Sequence, residues 1–300
     1  MKKAIVIGAN SYIARNLTKI SSDRKDIEIT ALYDCLDHHF DYATAYQQIN
    51  ILDMDSLKSI DLDVDFIFFF TGKTGTAVGF DHYDDFIDVN EKALLNLLTE
   101  YRNQQSQAKI IFPSTRLVYK GKNGPLKEDS EKEFKTVYAI NKFACEQYLE
   151  MYASVYGVNY SIFRICVPYG SLIPGASSYG TAEIMISRAK KGKNITVFGD
   201  GSVRRTLTYI GDICETLISG ALLTDHKNDI FNIGGEDYSL FEMATLIAEK
   251  YNVAVEYADW PEVALKIESG DTVFDSGKLD RSLGNIRRQT FKEWILKVEN

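Results

Sequence analysis

Ala4-Ile5-Val6-Ile7-Gly8-Ala9-Asn10-Ser11-Tyr12-Ile13-Ala14 is the stretch that decides how the chain folds. An apolar run of strand type ends at a glycine, and a segment with Ile13, Leu17 and Ile20 at helical spacing follows it. A strand that passes through glycine into a helix is either an ordinary β–α turn or the opening of a dinucleotide-binding βαβ unit, in which the helix N-terminus faces a pyrophosphate. In the G-x-x-G-x-x-G form of this loop the first glycine makes the tight turn. The second admits the pyrophosphate, and the third brings helix and strand together. Of these only Gly8 is present. Ser11 stands second, with a small hydroxyl able to donate to a phosphate, and Ala14 stands third, adding one methyl. Gly8, Asn10, Ser11, Tyr12 and Ile13 are therefore expected to line the cofactor.

Outward from this loop, strand-type runs at Ile27–Leu32, Phe66–Phe70, Ile110–Phe112 and Tyr160–Ile165 alternate with helical periods. That rhythm predicts right-handed βαβ units and a parallel, doubly wound α/β sheet of Rossmann type. The second strand ends Leu32-Tyr33-Asp34, about 26 residues beyond Gly8, where a carboxylate accepts the adenosine ribose hydroxyls. Asp34 favours NAD over NADP, because a 2′-phosphate beside it meets like charge. Arg15 and the His38-His39 pair keep NADP open, and the histidines read as an exposed loop, not a metal site. Val137 to Tyr156 holds no Gly or Pro and is followed by Gly157, which predicts one long helix.

Past Ile165, Pro168, Gly170, Pro174, Gly175 and Gly180 mark a boundary. The expected division is a cofactor domain over 1–166, also receiving segments near 206–233, and a smaller mixed α/β substrate portion over 167–300. There, Ile195–Phe198 and Leu207–Tyr209 flank a Gly199-Asp200-Gly201 turn, and Ile230–Ile233 precedes Gly234-Gly235 and a helix starting near Ser239.

The 300 residues are 45% apolar and 25% charged, ordinary values for a globular chain with a large core. Phe66-Ile67-Phe68-Phe69-Phe70 is far shorter than the roughly 20 residues a bilayer requires, so no membrane partner is expected. Cys35, Cys145, Cys166 and Cys214 lie apart, with no C-x-x-C pair, which suits reduced thiols in a cytoplasm and no bound metal. The net charge of −8 disfavours nucleic acid and requires a locally basic pocket for any anionic substrate. Lys190-Lys191-Gly192-Lys193 reads as a solvated helix end.

Tyr138 and Lys142 stand at i and i+4 on one face of the long helix. An ammonium ~5 Å from a phenol at an effective dielectric of ~20 stabilises the phenolate by roughly 3 kcal/mol, about two pKa units. That brings a tyrosine toward useful proton transfer. Ile110-Ile111-Phe112 runs to Pro113-Ser114-Thr115, so Thr115 falls at the carboxyl edge of the sheet, where ligands bind in such folds. Its hydroxyl is placed to hold a reacting oxygen beside Tyr138. Thr115, Tyr138 and Lys142 are the expected catalytic residues.

With these residues in place, the sequence resembles the extended short-chain dehydrogenases of the NAD-dependent epimerase/dehydratase group along nearly its whole length. The resemblance implies further roles. Asn50-Ile51 before Asp53 resembles the adenine-contacting segment, Phe70-Thr71-Gly72-Lys73 the fourth-strand cofactor loop, and Asn90 the asparagine of the next helix. Pro125 with Glu128 resembles the P-x-x-E segment, and Arg164 to Gly170 the R-x-x-N-x-Y-G element. Residues 197–212, Val197-Phe198-Gly199-Asp200-Gly201-Ser202-Val203-Arg204-Arg205-Thr206-Leu207-Thr208-Tyr209-Ile210-Gly211-Asp212, match the pattern that contributes an arginine to the substrate diphosphate, here Arg205. Lys73, Thr115 and Asp271 complete the implied substrate contacts, although Asp271 by its own chemistry reads as a turn cap. The implied partner is a nucleotide-diphosphate sugar, and the implied assembly a homodimer paired through the helices around Phe86–Tyr101 and Val137–Tyr156.

Three departures narrow the activity. Arg116 and Leu117 stand where the dehydratases carry an acidic pair, so 4,6-dehydration is disfavoured. Val167 replaces the asparagine of R-x-x-N, and Glu268 stands in the place of a second substrate arginine. Two enzyme readings share the same catalytic residues. One is epimerisation at sugar C4 through a 4-keto intermediate, and the other is NAD(P)H-dependent reduction of a nucleotide-linked 4-keto-6-deoxy sugar. A non-catalytic dinucleotide-binding regulator is the third reading, and the presence of Thr115, Tyr138 and Lys142 weighs against it.

Overall fold

The strands of the large sheet are apolar on both faces because helices cover both, and β4 (Phe66–Phe69) shows it best. Phe66, Phe68 and Phe70 join one core cluster with Val6, Leu17, Ile213 and Leu217, whereas Ile67 and Phe69 join the other with Leu97, Ile110 and Leu149. Alternate residues of a strand point to opposite faces, so an unbroken apolar run fills two cores.

A computed structural model describes residues 1–34, 42–174, 180–223, 228–284 and 288–298. Cys35, Gly175 and the His38-His39 pair lie outside them, as does the exposed-loop reading of those histidines. The strands are β1 (Lys2–Ile7), β2 (Ile27–Tyr33), β3 (Ala45–Gln48), β4, β5 (Lys109–Thr115), β6 (Asn159–Ile165), β7 (Val167–Tyr169), β8 (Ile195–Phe198), β9 (Arg204–Tyr209), β10 (Asp229–Asn232), β11 (Glu236–Ser239) and β12 (Val255–Ala258). The helices used below are α1 (Tyr12–Ser22), α2 (Met54–Lys58), α3 (Tyr83–Phe86), α4 (Ala93–Asn103), α5 (Val137–Tyr156), α6 (Thr181–Lys190), α7 (Ile210–Leu222) and α8 (Leu240–Tyr251).

Seven strands form one parallel sheet in the order β10-β6-β5-β4-β1-β2-β3. The direction of winding reverses between β1 and β4, which creates the crevice where doubly wound folds bind ligands. The chain is therefore of the Rossmann type expected. A three-stranded sheet, β11-β9-β7, and the pair β12-β8 surround a third core with α6 and α8. β10 returns from beyond this region to the edge of the large sheet beside β6.

Local chemistry sets the boundaries of α5. The Thr136 side chain accepts from the Ala139 N–H at its start, and Gly157, at φ 73°, ends it. Ser239 and Glu242 form a reciprocal capping box on α8. Three local features differ from expectation. The strands flanking Gly199-Asp200-Gly201 do not pair with each other, since β8 joins β12 and β9 joins β11 and β7. The helix around Phe86–Tyr101 is interrupted by a π-helical turn at Ile87–Lys92. β3, a short polar edge strand, carried no apolar signal.

One buried ion pair ties α5 to the sheet. Arg164 on β6 and Glu146 on α5 have side chains 2% and 0% exposed and meet in a bidentate contact, with Nη2 to Oε2 at 2.5 Å and Nε to Oε1 at 2.9 Å. Ser114 Oγ donates to the same carboxylate at 2.5 Å, and Arg164 Nη1 donates to the Tyr119 hydroxyl and the Glu128 carbonyl. Removing one partner strands the other charge in the core, which costs about 3–5 kcal/mol. Arg164→Met is expected to lower the unfolding free energy by that amount in urea titration, and adding Glu146→Leu to recover most of it. A single substitution without effect contradicts the account.

Candidate active site

Gly8 closes the switch point between β1 and β4. Its φ of +81° belongs to glycine, and a Cβ there stands 2.7 Å from the Thr71 backbone nitrogen. The N–H groups of Gly8 and Ala9 both donate to the Leu32 carbonyl, at 3.0 and 2.9 Å, which turns the chain toward α1. At the start of that helix the Ser11 hydroxyl is buried, with no hydrogen-bond partner among the described residues, and makes no cap bond. An unsatisfied donor at a helix N-terminus, beside a backbone kept bare by glycine, fits the pyrophosphate of a dinucleotide. Ala14 is fully buried, so the third glycine position tolerates a methyl.

The other expected cofactor residues divide into two groups. Asp34 is exposed at the end of β2, and its carbonyl accepts from Gln48 Nε2 at 3.0 Å. Phe70 is buried, and its N–H donates to the Ile7 carbonyl. Buried Asn90, in the π-helical turn, accepts from the Lys73 N–H at 2.7 Å and donates to the Lys73 carbonyl at 3.1 Å. It thus pins the loop carrying Thr71 and Gly72. What is visible of the remaining residues is structural. Tyr12 donates to the Gly170 carbonyl at 2.6 Å, and Ile13 packs on the first core. Asn50 Oδ1 accepts from the Leu52 N–H in a turn, and Ile51 is buried in the second core.

The reacting face is assembled by α5. Lys142 is buried, and its Nζ donates to the Pro113 carbonyl at 2.8 Å and lies 4.4 Å from the centre of the Phe112 ring. A Cβ on Gly72 stands 2.9 Å from Asn90 Oδ1 and 3.9 Å from Lys142 Nζ, so the fourth-strand loop and α5 close on each other. Tyr138 lies one turn before Lys142. Thr115, two residues beyond Pro113 and buried, ends β5 with its Oγ1 accepting from the Leu117 N–H at 3.3 Å. Lys142 thus meets the carboxyl end of β5 two residues before Thr115, and Tyr138 stands one turn earlier on the same helix. Burial brings the Lys142 pKa down to about 8, with Cys145 and Glu146 opposing part of the shift.

The expected substrate residues are placed less simply. The Lys73 ammonium pairs with Asp85 at 2.5 Å in an exposed contact. Asp271 Oδ1 accepts from the Arg204 N–H at 2.8 Å, a clamp between backbone segments. Arg205 is buried at 2% exposure with its donors engaged: Nη1 with the Arg204 and Gly270 carbonyls, and Nη2 with Glu268 Oε1 at 2.5 Å. Glu268 therefore neutralises the arginine expected to meet a diphosphate. Sequence reasoning noted Arg116 only as a departure from the dehydratases and gave no site role to it, Ser269 or Lys135, which gather around the same segment. Arg116 was the legible one, as a charge directly after Thr115.

Fold and crevice together define a doubly wound dinucleotide-binding protein. The chain belongs to the NAD dependent epimerase/dehydratase family, whose model matches residues 4–234. It is 30% identical to the uncharacterised UDP-glucose epimerase YtcB of Bacillus subtilis over 67% of this chain and 62% of that protein. It is 28% identical to the UDP-glucuronate 4-epimerase of Thermodesulfobacterium geofontis over 63% of this chain and 58% of that one. The chain thus spans less than two thirds of the length of these curated relatives. The UDP-glucose 4-epimerase of Thermus thermophilus, solved in complex with NAD, has the same fold, with a TM-score of 0.82 over 98% of this chain and 96% of that one at 22% identity.

Among the described residues no helix is long and apolar enough to cross a membrane, and no cluster of His, Cys, Asp and Glu is suited to a metal ion. The Lys142 shift sets a pH window. Its ammonium is present below pH about 8 and lost above it, and the support it lends a phenolate goes with it. Should Lys142 support a phenolate in turnover, kcat/KM is expected to fall as pH rises through about 8. A flat profile to pH about 10, near the ordinary lysine value, contradicts the burial argument.

Proposed function

We propose that the chain is a NAD-dependent nucleotide-sugar epimerase acting at sugar C4 through a 4-keto intermediate. The observation that carries the reading is the buried Lys142, held at the Pro113 carbonyl with Tyr138 one turn away and Thr115 at the same strand end. Ser11 is read as a donor to the pyrophosphate, and Asp34 at the end of β2 as the acceptor for the adenosine ribose. NAD bound in the crevice supplies the hydride acceptor and, on return, the hydride donor.

The chain's own residues do the rest. Tyr138, as phenolate, takes the proton of the C4 hydroxyl as the carbonyl forms, and Lys142 lowers the cost of that phenolate. Thr115 Oγ1 holds the same oxygen. When the 4-ketose presents its other face, Tyr138 returns the proton and the epimer forms with no net redox change. Arg205 reaches a diphosphate once Glu268 is displaced, so phosphate binding is weaker than an unpaired arginine gives. The mixed portion around β7 to β9 and β11 is read as the substrate-binding part. The described cysteines, Cys145, Cys166 and Cys214, are buried free thiols, in keeping with a cytoplasmic protein.

Two measurements test the reading. Mass spectrometry of the cofactor released on denaturing fresh protein is expected to find stoichiometric NAD. An empty site that takes added NADPH and reduces a 4-keto-6-deoxy sugar nucleotide replaces the epimerase with the reductase. Tyr138→Phe is expected to lower kcat by about 100- to 10,000-fold with cofactor still bound. A variant of nearly full activity removes Tyr138 from the mechanism.

The homodimer is part of this proposal. Ile140, Met151 and Val155 are exposed on α5 at spacings that share one helix face, an apolar stripe suited to a second copy of the helix. Light scattering is expected to give a dimer, and Met151→Asp to shift it to monomer. A monomeric parent chain at micromolar concentration rejects the pairing.

A further inference from the structure

Glu91 stands beside Asn90 in the π-helical turn, and the hydride-transfer residues make no use of it. Its carboxylate is partly buried and accepts twice from α5, from Asn141 Nδ2 at 2.5 Å and from the Tyr148 hydroxyl at 2.9 Å. Burial, and then the carboxylate itself, push the Tyr148 pKa up to about 12, so that hydroxyl stays a donor. Asn141, 2% exposed, directly precedes Lys142. Its Oδ1 accepts from Asn90 Nδ2 at 3.3 Å, and Asn90 Oδ1 accepts from the Lys73 N–H at 2.7 Å. The Cys145 thiol adds a second link by donating to the Asn90 carbonyl at 3.1 Å. Asn141, Cys145 and Tyr148 share one helix face, and the π-helical turn brings Asn90 and Glu91 against it together.

The carboxylate gives this chain of amides its direction. The two ends of an asparagine amide are nearly equal in size and differ in whether they donate or accept, so an amide held only by another amide can turn around. A carboxylate offers acceptors alone, which turns Asn141 Nδ2 toward Glu91 and Oδ1 toward Asn90. The far end demands the same order, because Asn90 also donates from Nδ2 to the Lys73 carbonyl at 3.1 Å and so holds both backbone groups of Lys73. A reversed Asn141 sets two acceptors 2.5 Å apart at Glu91 and faces Asn90 Nδ2 with a second donor. Gly72 lies within the same latch, since a Cβ there stands 2.9 Å from Asn90 Oδ1.

We propose that Glu91 is a positioning residue for the dinucleotide: its carboxylate fixes the Asn141–Asn90 amide chain and so holds the backbone of Thr71, Gly72 and Lys73 in the form that receives the cofactor. The inference rests on reading residues 70–73 as the cofactor loop. Glu91 touches neither cofactor nor substrate in this role. It acts through two amides, and the same amides tie the loop to the turn of α5 that carries Lys142. Without the carboxylate Asn141 is free to reverse, the latch on Lys73 meets a competing donor, and the loop is ordered only at the cost of binding energy.

The test follows NAD binding to the cofactor-stripped full chain by calorimetry, hydrogen exchange of residues 70–73 by mass spectrometry, and UDP binding to the NAD-loaded chain. The parent is expected to protect the Lys73 amide before NAD is added. Glu91→Leu should weaken NAD binding by about 5- to 50-fold and speed exchange at Lys73, with UDP affinity at saturating NAD unchanged. Asn141→Leu should do the same, and the double variant no more than the larger single one, since both cut one chain. Glu91→Gln keeps an acceptor for Asn141 and should recover most of the affinity. Tyr148→Phe removes the other partner of the carboxylate and should bind NAD as the parent does. Equal loss in Tyr148→Phe assigns Glu91 to the packing of the turn on α5 and overturns the inference. An unprotected Lys73 amide in the parent, unchanged NAD affinity in Glu91→Leu, or a loss of UDP affinity matching that of NAD also overturns it, and the hydride-transfer reading stands in each case. A parent chain that takes up no dinucleotide and turns over no nucleotide sugar defeats that reading and the inference with it.

Discussion

Arg164 and Glu146 meet inside the core where β6, β5 and α5 come together, and the placement of the crevice follows from that contact. The carboxylate also takes the Ser114 hydroxyl, and the guanidinium also takes the Tyr119 hydroxyl and the Glu128 carbonyl. Glu128 in turn accepts from the Asn232 N–H, and Tyr119 donates to Asn232 Oδ1. One pair of charges thus binds α5, the ends of β5, β6 and β10 and the segment before α5 into a single unit. Buried charges tolerate little misplacement, because each lost hydrogen bond leaves a desolvated group unpaired. The α5 face that carries Tyr138 and Lys142 is held over the end of β5 by this requirement, which apolar packing alone specifies less sharply.

The same low-dielectric setting shapes the chemistry. Lys142 is close to the sheet edge because its ammonium is anchored at the Pro113 carbonyl, yet burial weakens its hold on the proton. In the proposed mechanism, a lysine tuned this way supports a phenolate over a limited pH range. Glu268 closes Arg205 into a buried ion pair, and Arg116 hydrogen-bonds Ser269 in the same segment.

Much of the fold was legible because the large sheet is covered on both sides, so its strands are continuous apolar runs, and because α5 begins and ends on residues with a clear capping function, Thr136 and Gly157. The elements that escaped notice have physical reasons. β3 is a polar edge strand whose pairing with β2 supplies what its own sequence does not advertise. The π-helical turn at Ile87–Lys92 keeps an ordinary helical pattern while placing Asn90 against the Lys73 backbone. The turn at Gly199-Asp200-Gly201 looks local, but its flanking strands answer to β12 and to β11 and β7, which are distant in sequence.

For the site, residue type and spacing were enough to nominate Gly8, Asp34, Thr115, Tyr138 and Lys142, because each is demanded by a short-range rule: a turn, a strand end or a helix face. Charge balance was not accessible that way. That Glu268 meets Arg205 and that Lys73 turns to Asp85 are outcomes of segments separated along the chain coming within hydrogen-bond distance. Local order along a chain obeys backbone geometry and hydrophobic period, which can be read in a line. Electrostatic pairing depends on distance and burial in space, and these exist only once the segments have packed.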